Sequence, residues 1–240
     1  MNDLLAGSVE QMRATLTGAP DEAAVLLRAG AEAGLPEAQT AYGQVLLDGR
    51  GVSADPTEAL RWFRAAAASG DLMAINMVGR CFEKGWGVTE DRAEAARWYA
   101  RAAEGGLDWG MYNYGSALAL GAGVAKDERA ALGWFQRAGA SGHAKSINFV
   151  GTFHEEGRLT PRDMAKAAQC YARAAEGGDF RGQFNHARLL AEAGRIDEAL
   201  SWIERAAETA TPAFRASMQA YCEAAPVAAL KHAAGMLGEL

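Results

Sequence analysis

The sequence predicts an all-α fold, a solenoid of stacked antiparallel helix pairs. Alanine accounts for 54 of the 240 residues, glycine is frequent at 28 and proline is rare at 6, a balance that favours close-packed helices over sheets. In addition, three columns of residues recur in phase every 36 positions, which is typical of repeat proteins. The columns are Gly34, Gly70, Gly106, Gly142 and Gly178; Gly43, Gly79, Gly115 and Gly151; and Leu26, Trp62, Trp98, Trp134 and Cys170.

Each repeat contains the signals of two helices. Between residues 37 and 48, apolar residues lie three and four positions apart, which indicates an amphipathic first helix. Gly49 and Gly51 end it, because glycine adopts positive φ values at low cost. Asp55, followed by Glu58 as in a capping box, begins a second helix that ends at Gly70. The same signals recur at Asp91 with Glu94, at Asp127 and at Asp163.

The repeated residue sizes predict how the helices pack. We expect the glycines of the Gly43 column to let the two helices of a pair approach closely. We expect the tryptophans of the Trp62 column to fill the space between successive pairs. A single pair cannot bury both of its faces, so the pairs must stack on one another.

These residues resemble the Sel1-like repeat, a relative of the tetratricopeptide repeat. The resemblance rests on Tyr42-Gly43, Gly49-x-Gly51-Val52, Asp55, Ala59, Trp62-Phe63, Ala66-Ala67 and Gly70, and it recurs in the next two repeats. It implies a right-handed α/α superhelical solenoid that serves as a protein-binding scaffold. The fourth repeat carries Leu159 and Thr160 in place of the second glycine and the valine, which leaves the conformation of its turn open.

The resemblance divides the chain into repeats and caps. We expect a single solenoid over residues 1–240 with about fourteen helices. Helical spacing of Leu5, Val9, Met12 and Leu16 predicts the start of an N-terminal capping pair. The predicted parts are a capping helix pair at 1–35, Sel1-like repeats at 36–70, 71–106, 107–142 and 143–178, a tetratricopeptide-like repeat at 179–210 and capping helices at 211–240.

Charge and cysteine content narrow the function classes. The net charge of −6 argues against a general nucleic-acid binder and against a membrane-surface protein, because both need a basic surface. We expect neither a secretory leader nor a membrane span. Three widely spaced cysteines favour a reducing cytoplasm, and the alanine and glycine content favours a bacterial origin.

The resemblance implies that the first helices line a concave groove. By register with tetratricopeptide repeats, a basic and amide-bearing strip with aromatic anchors faces that groove. Arginine and asparagine can bind carboxylates and peptide backbone, so we expect an adaptor that binds a peptide or protein segment, acidic or ending in a carboxylate. Solvated helix faces without a ligand are the alternative. The strip contains Asn76, Arg80, Trp109, Tyr112, Lys145, Asn148, Arg181, Phe184 and Arg188.

Other functions have weaker support in the sequence. Common catalytic and nucleotide-binding motifs are absent, so we expect no catalytic residue, no metal and no cofactor. The alternative is a hydrolase or regulatory enzyme subunit with a site near His154, Glu155 and Glu156. Self-association through an end of the solenoid is a further alternative. Trp86, between two turn glycines, is either a packing staple or a partner contact.

Overall fold

The computed structural model describes residues 19–238, so the predicted N-terminal stripe from Leu5 to Leu16 lies outside the described residues. The described residues form thirteen α-helices and no strand, which confirms the all-α prediction. The helices are α1 (Pro20–Glu32), α2 (Pro36–Asp48), α3 (Pro56–Ala68), α4 (Leu72–Lys84), α5 (Arg92–Glu104), α6 (Asp108–Leu120), α7 (Glu128–Ala140), α8 (Ala144–Glu156), α9 (Met164–Glu176), α10 (Phe180–Glu192), α11 (Ile196–Thr209), α12 (Pro212–Ala224) and α13 (Ala228–Gly238).

The helix positions follow the 36-residue register. The first helices of the repeats, α2, α4, α6, α8 and α10, begin at residues 36, 72, 108, 144 and 180. The second helices, α1, α3, α5, α7 and α9, begin at residues 20, 56, 92, 128 and 164. Helix α11 begins at residue 196, four residues earlier than the register requires, as the shortened fifth repeat predicts.

The chain divides into two compact units between Glu128 and Arg129. In the N-terminal unit each helix from α1 to α6 contacts the next, and α4 also contacts α6. In the C-terminal unit α8, α9, α10 and α11 make the same neighbour contacts, α8 also contacts α10, and α12 pairs with α13. Within each unit the helices are therefore stacked pairs, and a single solenoid over the whole chain stays a prediction.

Glycine and an aromatic ring fit together inside three of the described pairs, α2–α3, α4–α5 and α8–α9. A Cβ atom added to Gly79 would lie 2.7 Å from a ring carbon of Tyr99, and one on Gly151 would lie 2.7 Å from Tyr171. This confirms the predicted close approach of the two helices. The tryptophans are only half-buried, so the residue that fills the interior of a pair is the aromatic after the tryptophan. These buried aromatics are Phe63, Tyr99 and Phe135, and Tyr171 takes the same place after Cys170.

Aspartate side chains begin the second helices, as predicted. The Asp55 carboxylate accepts a hydrogen bond from the Glu58 amide at 2.9 Å. The reciprocal half of the predicted capping box is wrong, because Glu58 pairs with Arg61 instead. The Asp55 amide donates to the Leu46 carbonyl at 2.9 Å, which ties the second helix to the end of the first.

The fourth turn keeps the backbone of the others in spite of its sequence. Gly51, Gly87 and Gly123 have φ values of 74°, 68° and 73°. Leu159, which stands at the corresponding position of the fourth repeat, has a φ value of 61°. A side chain at this φ is strained, since its Cβ crowds the backbone. The repeat architecture therefore imposes the turn even where leucine replaces glycine.

Candidate functional site

The predicted groove residues of the N-terminal unit divide into buried and accessible ones. Asn76 is buried, and its Oδ1 accepts a hydrogen bond from Asn113 Nδ2 at 2.8 Å. Trp109 is 39% exposed and contacts Tyr112 edge to face, with ring centroids 6.1 Å apart. Arg80 lies over the ring of Trp86, 5.1 Å from its centroid. Asn76 is thus a link between first helices, whereas Trp109 lies at the surface.

The C-terminal unit changes the predicted strip further. Asn148 is buried and accepts a hydrogen bond from Asn185 at 2.9 Å. Phe184 is also buried, edge to face with Phe214 and Tyr221. The predicted roles of Asn148 as a peptide-binding amide and of Phe184 as an exposed anchor are therefore corrected, because neighbouring helices cover both side chains.

The positive residues of the C-terminal unit also have internal neighbours. Arg181 lies over the rings of Phe180 and Phe214, 4.5 and 5.4 Å from their centroids. Lys145 is half-buried. Burial raises the pKa of the Asp179 carboxyl, and its hydrogen bond from Gly182 and the positive charges of Arg181 and Lys145 oppose that rise. These two positive side chains therefore lie near a buried acid.

Two tyrosine–glutamate contacts are the main polar feature that the predicted strip did not contain. In the N-terminal unit Tyr99 on α5 donates a hydrogen bond to Glu83 Oε2 on α4 at 2.8 Å. In the C-terminal unit Tyr171 on α9 donates to Glu155 Oε2 on α8 at 2.6 Å. Burial, and then the neighbouring carboxylate, raise the pKa of each tyrosine. Each hydroxyl therefore stays a hydrogen-bond donor at neutral pH.

A cavity of about 340 Å³ opens beside the first of these contacts. Its lining comes mainly from α5 and α6, with Glu83 from α4, and its polar groups include Tyr99, Tyr112 and Ser116. The volume lies within the range of roughly 300–1,000 Å³ that is typical of small-ligand pockets. The N-terminal unit therefore has an open cavity between α5 and α6, and its lining includes one acidic and one basic side chain, Glu83 and Arg92.

In the C-terminal unit an arginine covers the corresponding glutamate. Arg188 Nη2 donates to Glu155 Oε1 and Oε2 at 2.6 and 2.7 Å, and its Nη1 donates to Glu192 at 3.1 Å. Burial disfavours the charge on Glu155, but the hydrogen bonds from Tyr171 and Arg188 outweigh it and lower the pKa of this carboxyl. Arg188, predicted as a groove cation, is thus neutralised inside the chain.

The alternative enzyme site does not assemble around His154. Glu155 is bound by Tyr171 and Arg188, and Glu156 pairs with Arg158 at 2.5 Å. The Nδ1 atom of His154 is buried without a hydrogen-bond partner. Within residues 19–238, no group of three His, Cys, Asp or Glu side chains is placed to hold a metal ion. The two acids of the predicted site therefore serve as ion-pair partners.

Trp86, left open by the sequence, packs inward. It is half-buried against the core of the N-terminal unit, and Arg80 lies over its face. These contacts favour the packing staple over the partner contact.

A two-repeat period was the missed signal in the sequence. Tyrosines at positions 99 and 171 are 72 residues apart, as are Glu83 and Glu155, whereas the intervening second helices carry phenylalanine. Where the second helix has Phe63 or Phe135, the first helix has Leu47 or Ala119 instead of glutamate. A phenylalanine has no hydroxyl that needs an acceptor, which accounts for this alternation.

Comparison with known proteins identifies the repeats. A model described as "Sel1 repeat" matches residues 36–71, 72–107, 110–143, 144–179 and 195–208, more than half of the chain. The chain belongs to the Sel1 repeat family. This family consists generally of repeat scaffolds for protein–protein interaction, which are not typically enzymes. No curated protein matches the chain.

Solved Sel1 repeat structures share the fold. A Sel1 repeat protein from Oxalobacter formigenes has a TM-score of 0.80 and 26% identity, with 96% of this chain and 97% of that chain covered. The protective antigen c5321 of uropathogenic Escherichia coli, which displays an SLR fold, has a TM-score of 0.67 and 25% identity over 90% of this chain and 48% of its own. The immunity protein Pa5087 from Pseudomonas aeruginosa, 11% identical with a TM-score of 0.58 over 85% of this chain and 80% of its own, shares the fold alone.

In the part of the chain that the structure describes, no helix is a candidate for a membrane span. None of its helices combines the length and the apolar character that a bilayer span requires.

Proposed function

We propose that this Sel1 repeat protein is an adaptor that binds a segment of another protein along its first helices. The open cavity of the N-terminal unit carries this proposal, because the first helix α6 supplies much of its lining and the first helix α4 supplies its carboxylate, Glu83. The exposed Trp109 lies against Tyr112 at the edge of the same cavity. An exposed aromatic beside a polar cavity is a typical anchor for a bound chain.

The C-terminal unit supports a second contact of different charge. Arg181 is exposed there and Lys145 is half-buried, so an acidic stretch of the bound segment suits this unit. This is the part of the predicted basic strip that remains after Arg188 is paired with Glu155. Three free cysteines, two of them buried, suit the reducing compartment that the proposal assumes.

Selection from a displayed peptide library tests the proposal. Peptides selected on the purified full chain are synthesised, labelled and measured by fluorescence anisotropy. We expect Trp109→Ala, and Lys145→Glu combined with Arg181→Glu, each to weaken binding roughly tenfold, the loss of one strong interfacial contact. Arg205→Glu, on the second helix α11, is the matched control and should bind like the wild type.

Equal affinity in all variants would contradict binding along the first helices, and so would a selection that enriches no peptide. Self-association through an end of the stack stays a prediction, which light scattering over a range of concentrations tests.

A further inference from the structure

The two tyrosine–glutamate contacts are built on matching frameworks. In each unit an asparagine pair links two first helices, Asn76 with Asn113 on α4 and α6, and Asn148 with Asn185 on α8 and α10. The donor–acceptor distances are 2.8 and 2.9 Å. Residues 72 positions apart therefore have corresponding surroundings, and the C-terminal unit shows what the N-terminal cavity can accommodate.

Beside the glutamate, the N-terminal unit carries Ser116 where the C-terminal unit carries Arg188. The Nη2 atom of Arg188 lies within hydrogen-bonding distance of both carboxylate oxygens of Glu155, and its Nη1 atom binds Glu192, so one guanidinium serves two acids. Ser116 is too short to reach across, and its hydroxyl donates to the Tyr112 carbonyl at 2.8 Å. The space that an arginine side chain fills in the C-terminal unit is a cavity in the N-terminal unit.

Glu83 is correspondingly less covered than its counterpart. Its side chain is 41% exposed, against 23% for Glu155. Its cationic contact is Lys84 Nζ, 3.5 Å from Oε1, an exposed pair of the kind that contributes little.

The arginines nearest the cavity are engaged elsewhere. Arg80 lies over the ring of Trp86. Arg92, which also lines the cavity, donates to Glu90 at 2.9 Å. Neither of them takes the place beside Glu83 that Arg188 has beside Glu155.

The edge of the cavity differs from its counterpart in polarity. Leu120, which lines the cavity, is 79% exposed, whereas the corresponding residue of the C-terminal unit is Glu192, an ion-pair partner of Arg188. An exposed leucine offers apolar surface to the methylene groups of a long cationic side chain. The cavity therefore combines a carboxylate at its wall with an apolar edge.

We propose that the cavity beside Glu83 binds the guanidinium group of an arginine side chain on the bound partner segment. This inference rests on the proposed adaptor function and assigns one residue of the partner. The guanidinium would donate to both oxygens of Glu83 while Tyr99 keeps its hydrogen bond to Oε2, as Arg188 and Tyr171 share Glu155. Lysine suits the cavity less, because its donors all lie on one nitrogen, whereas a guanidinium can bind the carboxylate through one nitrogen and further acceptors through the others, as Arg188 does.

Small amide probes test the cavity by itself. N-acetyl-arginine amide, N-acetyl-lysine amide and N-acetyl-citrulline amide are titrated into the full chain, and backbone amide shifts are followed by NMR. We expect arginine to shift the amides of residues 112–122, lysine to do so more weakly and the neutral isostere citrulline not at all. Glu83→Gln should weaken arginine binding roughly tenfold, as expected for the loss of a charged hydrogen-bond partner. Equal shifts with citrulline, or no shifts with arginine, would overturn the inference.

Exchange of the two differing residues gives a sharper test. Ser116→Arg supplies the guanidinium from within the chain and should abolish arginine binding while the protein remains folded. Arg188→Ser should open a second arginine site, visible as new shifts on α8 and α10. If Ser116→Arg binds the arginine amide as well as the wild type does, the inference is wrong, whether or not Arg188→Ser folds.

The selected peptides separate this inference from the adaptor function. An arginine-to-citrulline change in such a peptide should cost roughly tenfold in affinity for the wild type and nothing for Glu83→Gln. A peptide that binds equally well with citrulline would leave the adaptor in place and remove the arginine site. If the arginine amide binds although no peptide is selected, the arginine site remains and the adaptor function is contradicted.

Discussion

The N-terminal and C-terminal units place a tyrosine hydroxyl against a glutamate in the same way and then differ in what faces the carboxylate. In the C-terminal unit Arg188 closes the site from within the chain. In the N-terminal unit Ser116 leaves a cavity. Because each repeat contacts mainly its neighbours, one column can change without disturbing the stack. The difference shows how a repeat scaffold can hold a structural ion pair in one unit and an open site in another, here with Ser116 in place of Arg188 and Leu120 in place of Glu192.

The strongest test addresses what the units share, the packing of glycine against tyrosine. Gly79→Ala and Gly151→Ala each place a Cβ atom 2.7 Å from a ring carbon. We expect both to lower the free energy of unfolding by about 2–3 kcal/mol, measured by urea denaturation, because the ring must move in a closely packed pair.

Gly133→Ala on α7 is the matched control, since nothing lies within 4 Å of its added Cβ. This change should raise the free energy of unfolding by about 0.5–1 kcal/mol through helix propensity. If Gly79→Ala and Gly151→Ala lowered the free energy of unfolding by clearly different amounts, the packing of glycine against tyrosine would not be equivalent in the two units.

A second test addresses the column in which the units differ. Arg188→Ser removes the charged partner of Glu155, and we expect it to lower the free energy of unfolding by about 1–2 kcal/mol. Ser116→Arg adds the corresponding ion pair with Glu83 and should raise the free energy of unfolding by about 0.5–1 kcal/mol. Chemical denaturation of both variants and of their combination measures the effects. Destabilisation by Ser116→Arg would show that the two sites are not equivalent.

A third test uses pH. The folded-state pKa of Glu155 lies below the ordinary value, since the hydrogen bonds from Tyr171 and Arg188 outweigh burial. A lowered acid pKa contributes stability above the unfolded value of about 4.3, and that contribution is lost as the pH falls through the folded value. We therefore expect the stability of the wild type relative to Glu155→Gln to decline below about pH 4.

The same substitution in an Arg188→Gln background is the control for the pH test. The decline in relative stability should be smaller there, because the arginine that helps to lower the pKa is missing. An unchanged pH profile in that background would assign the lowered pKa to other groups.

The smallest expected effect concerns the fourth turn. Leu159→Gly relieves a φ value of 61° and should raise the free energy of unfolding by about 0.5–1 kcal/mol, after the entropy cost of glycine. Thermal and urea denaturation measure this gain. Arg158→Gly, next to it in the same turn, is the control and should bring no gain. A loss of stability in Leu159→Gly would mean that the leucine side chain contributes more than its backbone costs.

The sequence predicted the helices well because their signals are local. Glycine and aspartate at fixed spacing defined the ends of the helices, and the buried alanine slots such as Ala59 and Ala95 followed from the same register. The shape of the turn at Leu159 was not predictable, because there the neighbouring structure outweighs the preference of the residue.

The site was predicted less well because it depends on contacts between repeats. The sequence register predicted that Asn76, Asn148 and Phe184 lie on a first-helix face. It did not predict that all three side chains are buried there. Arg188 was identified as a groove cation, yet its partner Glu155 lies 33 positions away. Comparison of columns two repeats apart would have indicated the tyrosine–glutamate contacts, although not which carboxylate remains uncovered.

The backbone bond from each cap aspartate to the preceding helix has a consequence for folding kinetics. Asp55, Asp91, Asp127 and Asp163 each donate to a carbonyl nine residues earlier, at 2.9 Å. Such bonds, like the contacts between successive helices, join residues close in sequence, so little loop entropy is lost before each contact forms. Helix pairs can therefore nucleate independently and grow by adding neighbours, and the contact order of such a chain belongs with those of rapidly folding helical proteins.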